Sequence, residues 1–205
     1  MSFLENNNIY TDLALEERER FKENVEIEGV KINKKYDENM HMTTTVVDIF
    51  NEKGAGEMGK PEGCYVTMET KLLKDNDDDF RKKIAEELTD NLVTIMEKQR
   101  PESVLIVGLG NLYATPDALG PKTVEKIEIG KGVYCVSPGV LSQTGMETFS
   151  IIKGIINEVN PDLVIAIDSL AARNVRRITT TIQITDTGIT PGSGIGNHRK
   201  GINQE

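Results

Sequence analysis

Two cysteines and two histidines are all that 205 residues contain. Cys64 and Cys135 are too few for a disulfide framework and stand in no zinc-ligand spacing, so they are expected as small core thiols. His41 and His198 form no HExxH motif, which removes the usual support for a zinc protease. No apolar run approaches the roughly 20 residues that span a bilayer. The opening residues, MSFLENNNIYTDL, lack the basic start and apolar stretch of a secretory signal. No membrane association is expected, and the expected location is cytoplasmic. Positive charge is also scarce: 24 Lys and Arg face 33 Asp and Glu, for a net charge of −9. An acidic surface repels phosphates, so direct nucleic-acid binding is not expected, and a basic protein partner suits the chain better.

What remains is an ordinary globular composition, 38% hydrophobic and 28% charged, in a chain long enough for one sizeable domain or two small ones. Residues 1–10 are polar and expected to be loosely ordered. Thr11 suits a helix N-cap and Asp12 its first turn, which predicts a charged helix to about Glu23. Residues 25–73 read as β-rich: Val25, Ile27, Val30 and Ile32 alternate with polar residues, and 43–50 is crowded with β-branched side chains. Between these strands, 54–63 carries enough glycine and proline to predict a long loop. Phe80, Ile84, Leu88, Leu92 and Ile95 recur at helical spacing and predict one amphipathic helix over 80–99, started by Asp77, Asp78 and Asp79.

Beyond Pro101 the pattern changes to alternating strand and helix. Val104–Val107 and Leu163–Ile167 are short, wholly apolar runs, as expected of strands buried on both faces. Val133–Val136 and Thr181–Thr185 are further strands. Helices are predicted over 115–127, from the capping-box sequence Thr144-Gly145-Met146-Glu147 to about Val159, and over 169–177. The fold class expected is α/β: a mostly parallel sheet with helices on both faces, and a smaller β-rich subregion at 13–75 packed on a core at 76–205.

Ligands of such sheets bind beyond the carboxyl ends of the strands. Asp117 and Asp168 both fall there. Each also fits a plain structural role: Thr115, Pro116 and Asp117 make a favoured helix start, and an aspartate after a strand often caps the next helix. Together they allow more. Two carboxylates that approach closely cannot both ionise cheaply, so one stays protonated. Such a pair can activate a water and protonate a leaving amine, which is peptide hydrolysis without a covalent intermediate. Asp186 opens an Asp-Thr-Gly triplet of the kind found in pepsin-like proteases, but the surrounding strand–helix alternation does not fit their all-β fold, and a turn role competes. Gly108 and Gly110 follow a strand, but Tyr113 breaks the dinucleotide fingerprint. The stretch 191–200 reads as a flexible loop or an anion nest. Arg173, Arg176 and Arg177 share one predicted helix, either as a solvated face or to recognise acidic side chains; Arg173 is the candidate substrate contact.

Several separated stretches resemble one family, the spore germination proteases. They are 107–111 with Thr115-Pro116-Asp117-Ala118-Leu119-Gly120-Pro121, Ser137-Pro138-Gly139-Val140, Ala166-Ile167-Asp168 with Ala171-Ala172-Arg173, and 180–196. The resemblance implies a hydrogenase-maturation-protease-like fold and an atypical aspartic endopeptidase with Asp117 and Asp168 as its pair. It further implies a tetrameric zymogen that degrades small acid-soluble spore proteins during germination, in the forespore or spore core, without a cofactor. Family substrates are cut after the acid in a Thr-Glu-(Ile/Phe)-Ala-Ser-Glu type sequence. Thr11-Asp12-Leu13-Ala14-Leu15-Glu16 is similar, so self-cleavage between Asp12 and Leu13 is expected, with residues 1–12 as a propeptide. Family members continue past the 192–197 loop, so a chain ending at Glu205 is expected to be a shortened form. A non-catalytic module that binds spore proteins or sister subunits is the alternative reading, and a metal-dependent protease with the aspartates as ligands is a third.

Overall fold

The computed structural model describes residues 11–21, 26–75, 77–97 and 99–189. Expectations for 1–10, Val25, His198 and the 191–200 stretch lie outside them. The described residues divide into two units: 11–95 with 170–187, and 96–169 with 188–189.

The first unit is built on a four-stranded antiparallel sheet in the order β1 (Val30–Asp37), β2 (Met42–Ile49), β3 (Gly63–Glu69), β7 (Thr181–Thr185). β1, β2 and β3 are consecutive in the chain. β7 comes from more than a hundred residues later, with Tyr65 opposite Thr185 and Glu69 opposite Thr181. On one side Val47, Ile49 and Tyr65 pack with Ala14, Ile27 and Met58. A second cluster joins Met40, Met42 and Met68 to Ile84, with Phe80 and Leu88 against it. These last three are the apolar stripe predicted for the long helix, which runs as α3 (Asp78–Met96). Asp77 caps it, its Oδ1 accepting the amides of Asp79 and Phe80 at 2.9 and 3.2 Å. The buried cross-strand pair Thr45 and Thr67 has hydroxyls without a hydrogen-bond partner.

The second unit holds a three-stranded parallel sheet in the order β5 (Val133–Val136), β4 (Val104–Gly108), β6 (Leu163–Ile167). Leu105 and Val107 of β4 pack with Leu109 and with Ile152 of α6 (Thr148–Val159). Gly108, on the alternate face of the strand, meets α4 (Leu119–Val124) instead. Helices therefore cover both faces, and the chain is a mixed α/β protein. β6 is half-buried along its length rather than fully buried, because it stands at the edge of this sheet while β4 takes the centre.

Several local expectations are corrected. The 54–63 loop contains a helix, α2 (Glu52–Met58), because the Asn51 side chain accepts the Gly54 amide at 2.9 Å and Gly59 closes the helix at φ 60°. Thr144 does not open a helix; it ends the short α5 (Leu141–Thr144). Its hydroxyl turns back to the Val140 carbonyl, and Gly145 in the left-handed region separates it from α6. Thr11 does not cap a helix directly. α1 (Ala14–Arg18) starts behind Leu13, and the Thr11 hydroxyl accepts the Leu13 amide at 3.2 Å.

Candidate active site

The expected helix over 115–127 is split, and the split positions Asp117. A 3-10 turn spans Thr115–Asp117, and α4 follows after Ala118. Asp117 is therefore not the N2 residue of a long helix. Its Oδ2 and its own carbonyl both accept the Asn111 amide, at 2.9 and 3.0 Å, which ties it to the loop that leaves β4. Asn111 is itself held: its side-chain oxygen accepts the Tyr113 amide at 3.0 Å and Gln143 Nε2 at 2.8 Å.

Glycine makes this approach possible. Gly110 has φ +113°, and a Cβ there would stand 2.0 Å from the Asp117 carbonyl oxygen. Gly120 of α4 fits so tightly over the strand ends that a Cβ would lie 2.4 Å from the carbonyl oxygens of both Ile167 and Leu109. The Leu109 amide bonds the Ile167 carbonyl at 2.8 Å. The glycines that resembled an incomplete dinucleotide fingerprint thus serve close backbone packing around Asp117.

Asp168 directly follows Ile167. Its Oδ1 accepts the Ser169 amide at 2.8 Å. It does not cap a helix, because residues 169–174 form none; a 3-10 turn at Val175–Arg177 is all that remains of the expected helix, capped by Asn174. Asp117 and Asp168 are both half-buried, in the same unit, beyond the carboxyl ends of the adjacent parallel strands β4 and β6. Asp186 belongs to the other unit. It is exposed, and its Oδ1 accepts the Cys64 amide at 2.8 Å at the start of β3. Among the described residues no three His, Cys, Asp or Glu side chains converge in a way that fits a metal ion.

The stretch Thr11–Glu19 is gripped by its own unit. Asp12 exchanges two bonds with Ala171: its amide donates to the Ala171 carbonyl at 2.9 Å, and its Oδ2 accepts the Ala171 amide at 2.7 Å. The Asp12 carbonyl accepts Lys60 Nζ at 3.2 Å and Gln183 Nε2 at 3.0 Å. Gln183 Oε1 accepts the Ala14 amide at 2.9 Å, so this one side chain straddles the Asp12–Leu13 bond. Leu13 and Ala14 are both 0% exposed.

Glu16 takes the amides of Arg173 and Asn174 at 2.6 and 2.9 Å. Those amides are spent on a carboxylate instead of on helical carbonyls, as is that of Ala171. This is why the predicted helix does not form. Burial pushes the Glu16 carboxyl up, but hydrogen bonds from Thr11, from these two amides and from Arg177 prevail and hold it below the usual range. Burial also pushes the Lys60 ammonium down, against the pull of Asp12 and Glu17.

Arg173, the expected substrate contact, pairs with Glu17 at 2.7 Å. Arg177, grouped in the sequence with Arg173 and Arg176, is the buried one of the three. It is only 9% exposed and binds Glu19 at 2.6 Å, Glu69 at 2.7 Å and Glu16 at 3.2 Å. Its hydrogen bond to Glu19 leads in raising its pKa; burial opposes this and Glu69 adds to it. Three arginines in five residues give no sign of which one is buried, since that depends on partners on other elements.

Fold and site together define an α/β protein with a pair of aspartates at the carboxyl edge of its parallel sheet. Residues 5–205 match the family model described as germination protease, and the chain belongs to that family. It is 44% identical over 212 residues to the germination protease of Caldanaerobacter subterraneus subsp. tengcongensis, covering 96% of this chain and 64% of that one. It is 41% identical over 215 residues to a germination protease of Clostridium perfringens, covering 97% and 66%. It is 39% identical over 212 residues to that of Priestia megaterium, covering 95% and 56%. The chain thus spans less than two thirds of the length of these relatives. No helix among the described residues is long and apolar enough to cross a membrane.

Proposed function

We propose that this chain acts as an endopeptidase of spore germination, cleaving small acid-soluble spore proteins with Asp117 and Asp168 as an aspartate pair. The observation that carries this is the placement of both carboxylates in one unit, beyond the ends of adjacent parallel strands, where ligands of such sheets bind. The relatives, all germination proteases, support the part of this reading that makes the chain a protease of germination. Each aspartate gives one oxygen to a backbone amide, a contact that orients the carboxylate.

In the proposed reaction one ionised carboxylate takes a proton from water. The hydroxide adds to the peptide carbonyl carbon, and the other, protonated, carboxyl gives its proton to the departing amine as the C–N bond breaks. The pair ends with its protons exchanged, and the product acid and amine leave.

The reading includes a zymogen, assembled as a homotetramer in the forespore or spore core, that cuts itself between Asp12 and Leu13. The likeness of 11–16 to a substrate sequence supports the self-cleavage. The test is direct. The chain is incubated with a purified small acid-soluble spore protein, and fragments are identified by mass. Cleavage after acidic residues is expected, while binding without cleavage overturns the enzymatic reading in favour of a binding module. For self-processing, N-terminal sequencing after incubation at mildly acidic pH should give a chain starting at Leu13; any other start refutes the site.

A further inference from the structure

The aspartate pair leaves one atom of the reaction without a partner. Its ionised carboxylate takes a proton from water, and its protonated member gives one to the departing amine. Neither then has a proton for the carbonyl oxygen, which becomes an oxyanion between those steps. The main-chain amides beside the pair are already taken: that of Asn111 by Asp117, that of Ser169 by Asp168 and that of Leu109 by the Ile167 carbonyl.

The Asn111 side chain is the donor that remains. Its oxygen accepts the Tyr113 amide at 3.0 Å and Gln143 Nε2 at 2.8 Å. A main-chain N–H only donates, so Tyr113 fixes which end of the Asn111 amide is the oxygen. Gln143 is fixed in the same way, because its Oε1 accepts the Val140 amide at 3.2 Å. The Tyr113 contact alone would close the turn. The second contact comes from the loop after β5 and fixes the plane of the amide. With both acceptor positions of the oxygen filled, the Nδ2 hydrogens of Asn111 point away from these partners, and they take no acceptor among the described residues. The main-chain N–H of the same residue lies 2.9 Å from the Asp117 carboxylate, so this amine hangs from the Cα next to the pair.

We propose that Asn111 is a further catalytic residue whose Nδ2–H donates to the oxyanion of the tetrahedral intermediate, with Gln143 as the positioning residue behind it. This rests on the aspartate-pair reading and deepens it by naming the group that stabilises the charge. As the water oxygen bonds to the carbonyl carbon, the C=O π electrons move onto the oxygen, where the Asn111 amine stabilises them. As the C–N bond breaks they return to re-form C=O, while the proton of the acidic aspartate goes to the departing nitrogen. Asn111 neither gains nor loses a proton.

Two measurements test this. In the first, Asn111→Ala should lower kcat on a spore protein by about 10²–10³-fold with KM little changed, the usual effect of losing one oxyanion donor. A raised KM with kcat kept overturns the proposal. Gln143→Glu keeps the acceptor for Val140 but loses the donor to Asn111, and should lower kcat by about tenfold. The second measurement reads binding alone, so a chain that cleaves nothing refutes the proposed function and leaves this test intact. The peptide of residues 11–16 is prepared with its Asp12–Leu13 amide replaced by a phosphinate, whose P–O⁻ copies the oxyanion, or by a planar, uncleavable ketomethylene group. Asn111→Ala should weaken phosphinate binding by about tenfold or more and leave ketomethylene binding near the wild-type value. Equal phosphinate affinity in wild type and variant overturns the proposal, as does equal weakening of both peptides or a wild-type chain that does not prefer the phosphinate. Should Asn111→Ala fail to fold, Asn111→Asp serves: it keeps an oxygen for Tyr113 and Gln143 and, ionised, has no hydrogen to donate. Undiminished phosphinate binding to that variant overturns the proposal.

Discussion

The two units hold their acidic residues in opposite ways. In the parallel unit, Asp117 and Asp168 are fixed by amides close to them in sequence, those of Asn111 and Ser169, with glycines letting the backbone close in. In the antiparallel unit, Asp12 and Glu16 are fixed by groups about 160 residues away, and a buried arginine gathers carboxylates from three positions. Local fixing orients a side chain through its own loop. Long-range fixing ties it to a distant part of the chain. The proposed catalytic acids are of the first kind, and the acids of the 11–19 stretch are of the second.

The largest effect expected is on the first kind. Asp117→Asn and Asp168→Asn should each lower cleavage of a spore protein by about 10²-fold or more, the usual contribution of a positioned acid or base. The melting temperature should barely move. Wild-type rates in either variant would dissolve the pair.

On the other side of the comparison, Arg177→Ala should cost roughly 3–5 kcal/mol, because it strands Glu16 beside Glu19 and Glu69. Denaturant unfolding measures the loss, and hydrogen exchange should place it in 11–19 and β3. An effect confined to the parallel unit would blur the distinction. The matching lesion there is Gly120→Ala, which forces a methyl group against the Ile167 and Leu109 carbonyls and should cost about 1–3 kcal/mol. Its exchange signature should fall in β4 and β6.

Thr67→Val is expected to act with the opposite sign. It removes a buried hydroxyl with no hydrogen-bond partner and keeps the shape, so a gain of about 1 kcal/mol is expected.

The pH response sharpens the comparison further. The Glu16 carboxyl titrates below its ordinary value of 4.5 in the folded chain. The unfolded form therefore binds the extra proton first as pH falls. The stabilisation is complete above 4.5 and is lost as pH drops through the lower folded value. Protection of the Arg173 and Asn174 amides should persist at mildly acidic pH and decline only below that point. Loss of protection already near neutrality would mean that another group controls the segment. The smallest effect expected is from Lys53→Ala, which breaks an exposed pair with Glu28 and should leave the melting temperature unchanged.

Much of this was legible in advance, for reasons that can be named. The runs Val104–Val107 and Leu163–Ile167 announced a buried sheet by being apolar throughout, and the aspartates after them marked its carboxyl edge. Phe80, Ile84 and Leu88 gave α3 by spacing alone. The helix expected over 169–177 failed because Glu16 and Asp12 took the amides it needed, and no local pattern reports such a competitor. The capping box at Thr144–Glu147 failed because Gly145 could end one helix as readily as Thr144 could begin another.

By itself, then, the sequence determined the strands, the long helix, the α/β class and the place of Asp117 and Asp168 beyond two parallel strands, since all of these follow from spacings of a few residues. Only the tertiary structure decided that β7 joins β3, that Arg177 rather than Arg173 is the buried cation, and that residues 12–16 are held by Lys60 and by residues 171–183. Whether a charge can be buried, or an amide withheld from a helix, depends on what faces it across the fold, and those partners lie too far along the chain for any local pattern to announce them.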